Sequence, residues 1–160
     1  MQLETGRFRY LFVLQAFTKI YAVPGIRLGY GISSDKALLE RMETVRQPWS
    51  VSTPAQAAGL SALKEDHREE QTRQLVKSER ERMEKELENL RIEYIPSEAN
   101  FLLFNSEINW FEELKKRGIL IRDCANYRGL GNGWYRMAVR LPEENDRLLE
   151  CMKQVLNERS

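Results

Sequence analysis

The chain has 160 residues, long enough for a domain with a real core, and 42% of them are hydrophobic. Its 25 Lys and Arg nearly balance 24 Asp and Glu, so no global field draws it toward nucleic acid or an anionic membrane. No apolar run approaches the roughly 20 residues of a membrane span, and no signal-peptide core stands at the start; a cytoplasmic protein is expected. Cys124 and Cys151 lie far apart without CxxC spacing and are expected to be reduced thiols, while His67, the single histidine, sits in a charged run. Neither a Ser-His-Asp triad nor a metal site is expected.

Residues 1–9 are polar and carry no capping signal. Residues 10–14 are an apolar run with aromatic and β-branched members, which predicts a buried strand. Lys19 follows, before a Pro24-Gly25 turn, with Arg27 eight positions further on. A lysine at such a place is either a solvated surface residue or an amine held partly out of water. Desolvation disfavours the ammonium and frees the amine to attack a carbonyl, and an arginine offers a planar fork of donors to phosphate.

Residues 29–32 predict a second strand, and Ser33-Ser34-Asp35 offers caps for a helix over residues 36–46 with Leu38, Leu39, Met42 and Val45 on one face. Pro48 stops it. Ser52-Thr53-Pro54 opens an Ala-rich helix. Residues 66–90 place Leu75, Val76, Met83, Leu87 and Leu90 on one stripe of a long charged helix, with heptads too few for a coiled coil. Residues 91–96, 100–104, 119–122 and 135–141 predict strands. A helix over 108–117 ends at Gly118, and a last helix over 142–156 carries acids in its first turn.

Within the strand at 135–141, alternation puts Arg136, Ala138 and Arg140 on one face and Met137 and Val139 on the other. An arginine facing inward needs an anion, because a buried unpaired charge is costly; at a sheet edge it pairs with a neighbouring glutamate instead. Both readings stay open for each arginine.

The stretch Phe17-Thr18-Lys19, Tyr21, Pro24-Gly25-Ile26-Arg27, Gly29-Tyr30 resembles the lysine segment of fold-type I pyridoxal-phosphate enzymes of the aminotransferase class I/II family. The resemblance spans nearly the whole chain, about residues 11–156. It implies an α/β fold whose last part is a small α+β domain, a three- to four-strand sheet covered by helices. Residues 1–52 would be a remnant of the large cofactor-binding domain, residues 53–90 connecting helices, and residues 91–160 the small domain. It implies that Lys19 forms the Schiff base with pyridoxal phosphate, with Thr18 beside it, and that Arg27 contacts the cofactor phosphate. Ala16 departs from the family, which often has a hydroxyl there for that phosphate.

The resemblance implies that Arg136 binds the substrate carboxylate and Arg122 a second substrate anion, the phosphate. The segment from Leu120 to Leu130, with Tyr135-Arg136 and Ala138-Val139-Arg140, is most similar to the L-threonine O-3-phosphate decarboxylases of cobalamin synthesis; histidinol-phosphate aminotransferases share the Ile121-Arg122-Asp123 part. The implied partner is a small amino-acid phosphate, acted on by a longer, homodimeric parent of which this is the C-terminal portion. Alone, these residues are expected to be inactive, a structural domain with apolar strand edges open near residues 11–14.

Overall fold

The computed structural model describes residues 10–65 and 67–159. The polar start at 1–9 and the first residue expected in the long helix, Asp66, lie outside them. The chain forms two compact units, one ending at Glu69 and the other starting at Glu70.

The first unit begins with an antiparallel hairpin of β1 (Phe12–Ala16) and β2 (Gly29–Ser33). The first strand lies two residues later than hydrophobicity predicts, because its extent is fixed by a register that pairs Phe12 with Ser33 and Ala16 with Gly29. That register leaves no room for a side chain at Gly29, where a Cβ would stand 2.7 Å from the Gln15 carbonyl oxygen. Between the strands lies a one-turn helix, α1 (Phe17–Ile20), and a 3-10 turn over Pro24–Ile26. Helix α2 (Lys36–Val45) is capped by Asp35, whose Oδ1 accepts from the Leu38 N–H at 3.0 Å. Helix α3 (Thr53–Ala62) is capped by Ser52 and has proline in its first turn, as the cap signals predict.

The second unit is a four-stranded antiparallel sheet with helices on one face. Its strands are β3 (Glu93–Ile95), β4 (Phe101–Asn105), β5 (Arg122–Asp123) and β6 (Trp134–Ala138), in the order β3-β4-β6-β5. The helices are α4 (Arg68–Asn89, its first two residues in the other unit), α5 (Trp110–Lys116) and α6 (Pro142–Asn157). Alternation along β4 and β6 sends Leu102, Phe104, Tyr135 and Met137 into one core with Met83 and Leu87 of α4, Trp110 and Leu114 of α5, and Leu148, Leu149, Met152 and Val155 of α6. Each such side chain contributes about 1.5–3 kcal/mol of burial. The opposite face carries Phe101, Leu103, Arg136 and Ala138, half-buried or exposed.

Two strands are shorter than predicted, for the same reason. At the end of α5 the Gly118 N–H donates to the Lys115 carbonyl and the Ile119 N–H to the Leu114 carbonyl. This Schellman closure occupies the backbone of Ile119, and the strand expected at 119–122 shrinks to β5. At the end of α4 the Arg91 and Ile92 N–H groups donate back to Glu88 and Leu87, so β3 starts at Glu93 instead of residue 91.

Candidate active site

The residues singled out from the sequence fall into two groups, each within one unit. In the first unit, Lys19 and Arg27 lie on one closed loop. The Ala16–Gly29 pairing and a 3.1 Å hydrogen bond from the Phe17 N–H to the Leu28 carbonyl bring the two ends of residues 17–28 together. Phe17 anchors the loop. Its ring is buried, stacks on Tyr21 with centroids 5.0 Å apart, and meets Tyr30 edge-on at 6.0 Å. The Tyr21 hydroxyl donates to Glu69 Oε1 at 2.9 Å, and burial, reinforced by that carboxylate, pushes the phenol pKa up.

With Phe17 turned inward, the next-but-one residue of the one-turn helix turns out: Lys19 is exposed and Thr18 half-buried. The partial desolvation expected of a lysine at a strand end is therefore not supplied by this unit. Arg27 closes the 3-10 turn in the left-handed region at φ 56° and ψ 43°, a conformation that costs a non-glycine residue roughly 1–2 kcal/mol. Ala22, on the same loop, is also left-handed at φ 53°.

In the second unit, Arg122 of β5 and Arg136 of β6 are direct cross-strand partners. Like charges facing across an antiparallel pair destabilise it, and each guanidinium leans on an aromatic ring. Arg136 lies 4.9 Å from the centroid of Phe101; Arg122 lies 5.5 Å from that of Tyr127 and donates to Asn126 Oδ1 at 3.1 Å. Neither forms an ion pair among the described residues. Arg136 does not point into the core. Tyr135 and Met137 take that side, so the inward alternative for this arginine becomes an outward, half-buried one. Arg140 takes the other alternative and pairs with Glu144 at 2.7 Å. Two arginines side by side on an open sheet face, held by rings rather than carboxylates, are equipped to receive a doubly anionic ligand.

The loop after β5 is built to present Arg122. Asp123 Oδ1 accepts from the Ala125 N–H at 2.8 Å, and the Tyr127 N–H donates to the Cys124 carbonyl at 2.9 Å. Cys124 is fully buried behind it, and burial pushes its thiol pKa up, which makes it a packing residue and a poor nucleophile. The sequence assigns no role to Phe101, Asn126 or Tyr127. Phe101 is accessible to reasoning once Leu102 and Phe104 are placed in the core, since alternation then turns it to the arginine face. Tyr127 has no periodicity to betray it.

The family model described as aminotransferase class I and II matches residues 2–151. Threonine-phosphate decarboxylase of Salmonella typhimurium is 39% identical over 151 residues, covering 92% of this chain and 42% of that protein. Histidinol-phosphate aminotransferase of Symbiobacterium thermophilum is 38% identical over 149 residues, covering 91% and 40%. The solved histidinol-phosphate aminotransferase of Clostridium acetobutylicum superposes with a TM-score of 0.90 at 32% identity, over 97% of this chain and 48% of that one. The chain thus spans about two-fifths of the length of the curated relatives it matches.

Proposed function

Because the chain belongs to the aminotransferase class I and II family, we propose that it is the lysine-bearing C-terminal part of a pyridoxal-phosphate enzyme acting on an amino-acid phosphate. Decarboxylation of L-threonine O-3-phosphate is the first reading. The observation that carries it is the cross-strand pair Arg122–Arg136. A substrate with a carboxylate and a phosphate places one anion on each guanidinium and relieves their mutual repulsion.

The residues on the 17–28 loop fit the cofactor. An exposed primary amine at Lys19 suits an aldehyde, and the Arg27 guanidinium on the same closed loop suits a phosphate. When bound, the cofactor withdraws electrons from the substrate Cα. Lys19 would hold it covalently, with Thr18 alongside, and would move a proton at its Nζ once released; Arg27 would fix the phosphate end. Ala16 adds no hydroxyl to that contact. Arg136 would orient the carboxylate and Arg122 the substrate phosphate. Which bond to Cα breaks depends on how those two arginines tilt the substrate. In this reading the whole enzyme is a cytoplasmic homodimer, and residues 1–160 alone turn nothing over.

The second reading, transamination of histidinol phosphate or another amino acid, is favoured by the close superposition on a solved histidinol-phosphate aminotransferase. Histidinol phosphate has no carboxylate, but a glutamate amino donor has two, so the same arginine pair serves. The discriminating experiment gives the whole protein pyridoxal phosphate and L-threonine O-3-phosphate and measures CO2. Release that vanishes in Lys19→Ala is expected. Amino transfer from added glutamate to a keto acid, without CO2 release, would move the protein to the second reading, with Lys19, Arg27 and Arg136 in the same roles.

A further inference from the structure

The strand that carries Arg136 is weakly held on one side. After the Cys124 N–H, which donates to the Trp134 carbonyl at 2.9 Å, β5 pairs with β6 through Arg122 and Asp123, opposite Arg136 and Tyr135. Beyond that, the segment from Gly118 to Ile121 diverges and lines a cleft with Met137, Ala138 and Arg140. On its other side β6 is paired with β4 through Ala138, and the Val139 N–H donates to the Asn100 carbonyl at 2.9 Å. The two facing arginines push β5 and β6 apart, next to an open cleft.

Asn145, in the first turn of α6, closes this end. Its side-chain amide is 1% exposed and uses both ends on one residue: Oδ1 accepts from the Arg140 N–H at 3.0 Å, and Nδ2 donates to the Arg140 carbonyl at 2.9 Å. Nδ2 also donates to Glu79 Oε2 of α4 at 2.7 Å. Glu79 is 8% exposed and is gripped in turn by Arg82, whose Nε and Nη2 donate to its two oxygens at 3.1 and 2.7 Å while Nη1 donates to Asp146 at 2.7 Å. The amide thus does for Arg140 what a neighbouring strand does elsewhere. Every polar group in the chain of contacts from Arg82 to Arg140 has its partner.

We propose that Asn145, held by Glu79, is a positioning residue: by gripping the backbone of Arg140 it fixes the end of β6, and with it the Arg136 guanidinium over Phe101 and opposite Arg122. The consequence for substrate rests on Arg136 being an anion-binding group; the positioning itself does not. Asn145 touches no reacting atom. Its role is to keep a strand from yielding to a charge repulsion that the anion site requires.

Arginine side-chain NMR on the full chain, below the concentration at which it self-associates, tests this. The Phe101 ring, 4.9 Å from the guanidinium, shifts the Arg136 signals, and Phe101→Leu identifies that shift by removing it. In Asn145→Asp two carboxylates meet where an amide met one, and the Arg136 shift is expected to collapse. Adding Glu79→Gln restores a donor to the new carboxylate and is expected to restore most of the shift; Asn145→Ser removes the grip without adding charge and is expected to lose it. Arg136 signals that stay in place in both single variants while the Arg140 amide signal moves would overturn the proposal, leaving Asn145 a local cap. Titration with inorganic sulfate separates the two levels. Binding at both arginines is expected to weaken about tenfold in Asn145→Asp, the effect of one hydrogen bond to a charged group, and to recover with Glu79→Gln. Sulfate that moves neither arginine in the unmodified chain would overturn the anion-site reading, while the ring shift still decides the positioning.

Discussion

Arg122 and Arg136, paired across two strands, and Arg140, two residues past the end of β6, have two fates, and their neighbours decide which. Arg140 meets Glu144 and is neutralised, whereas Arg122 and Arg136 meet each other and two rings. Arg140→Gln is accordingly expected to change stability by under about 1 kcal/mol and leave substrate binding intact. On the proposed function, Arg136→Gln is expected to raise the KM for an amino-acid phosphate about 10- to 100-fold, the worth of a charge-assisted hydrogen bond; steady-state kinetics on the two variants check the contrast. Glu79 supplies the pH-dependent part of the account. Its hydrogen bonds from Arg82, opposed by burial, hold its carboxyl below the ordinary value of 4.5. A group with a lowered folded pKa stabilises the fold above its unfolded value and loses that contribution as pH falls below it. Acid unfolding of Glu79→Gln should therefore show a flatter dependence below about pH 4.5 than the unmodified chain, read by circular dichroism.

At the scale of elements, the helix caps at Asp35 and Ser52 and the acid-rich start of α6 were legible in the sequence, because caps are local and carry their own residue types. The strands were less so. Residues 119–121 have the composition of a strand, but their first backbone donor belongs to the end of α5, and composition does not reveal where a hydrogen bond goes. The same closure ends α4 with a poorer residue: Arg91 takes the left-handed position at φ 57° that glycine takes at Gly118. Arg91→Gly is expected to stabilise the second unit by about 0.5–1 kcal/mol, the left-handed penalty less the chain entropy glycine brings; thermal unfolding measures it. The lysine segment was legible as a motif, but its one-turn helix was not, since Phe17-Thr18-Lys19-Ile20 carries no helix signal. The exposure of Lys19 was illegible for the same reason: it follows from that helical turn, which sends Phe17 inward and Lys19 outward.

For the whole molecule, the two units differ in how well they cover themselves. The second has a single core with Leu102, Phe104, Trp110 and Leu114 fully buried. The first leaves Leu14 76%, Val45 82% and Trp49 97% exposed, together with Leu60 and Leu63. Among the described residues, its two-stranded sheet also has each strand paired on one side only. Apolar side chains and strand edges left open in this way favour association. The isolated chain is expected to self-associate as its concentration rises; a monodisperse monomer in light scattering at every concentration would contradict that. The family's lysine segment sits in this poorly covered unit.

The proposed role of Lys19 is tested by asking which lysine takes up pyridoxal phosphate. The protein is incubated with pyridoxal phosphate, reduced with borohydride, digested, and its peptides weighed. The added pyridoxyl mass is expected on the peptide that contains Lys19, and is expected to be absent in Lys19→Ala. A label on a different lysine, or a protein that takes up no label at all, would contradict it.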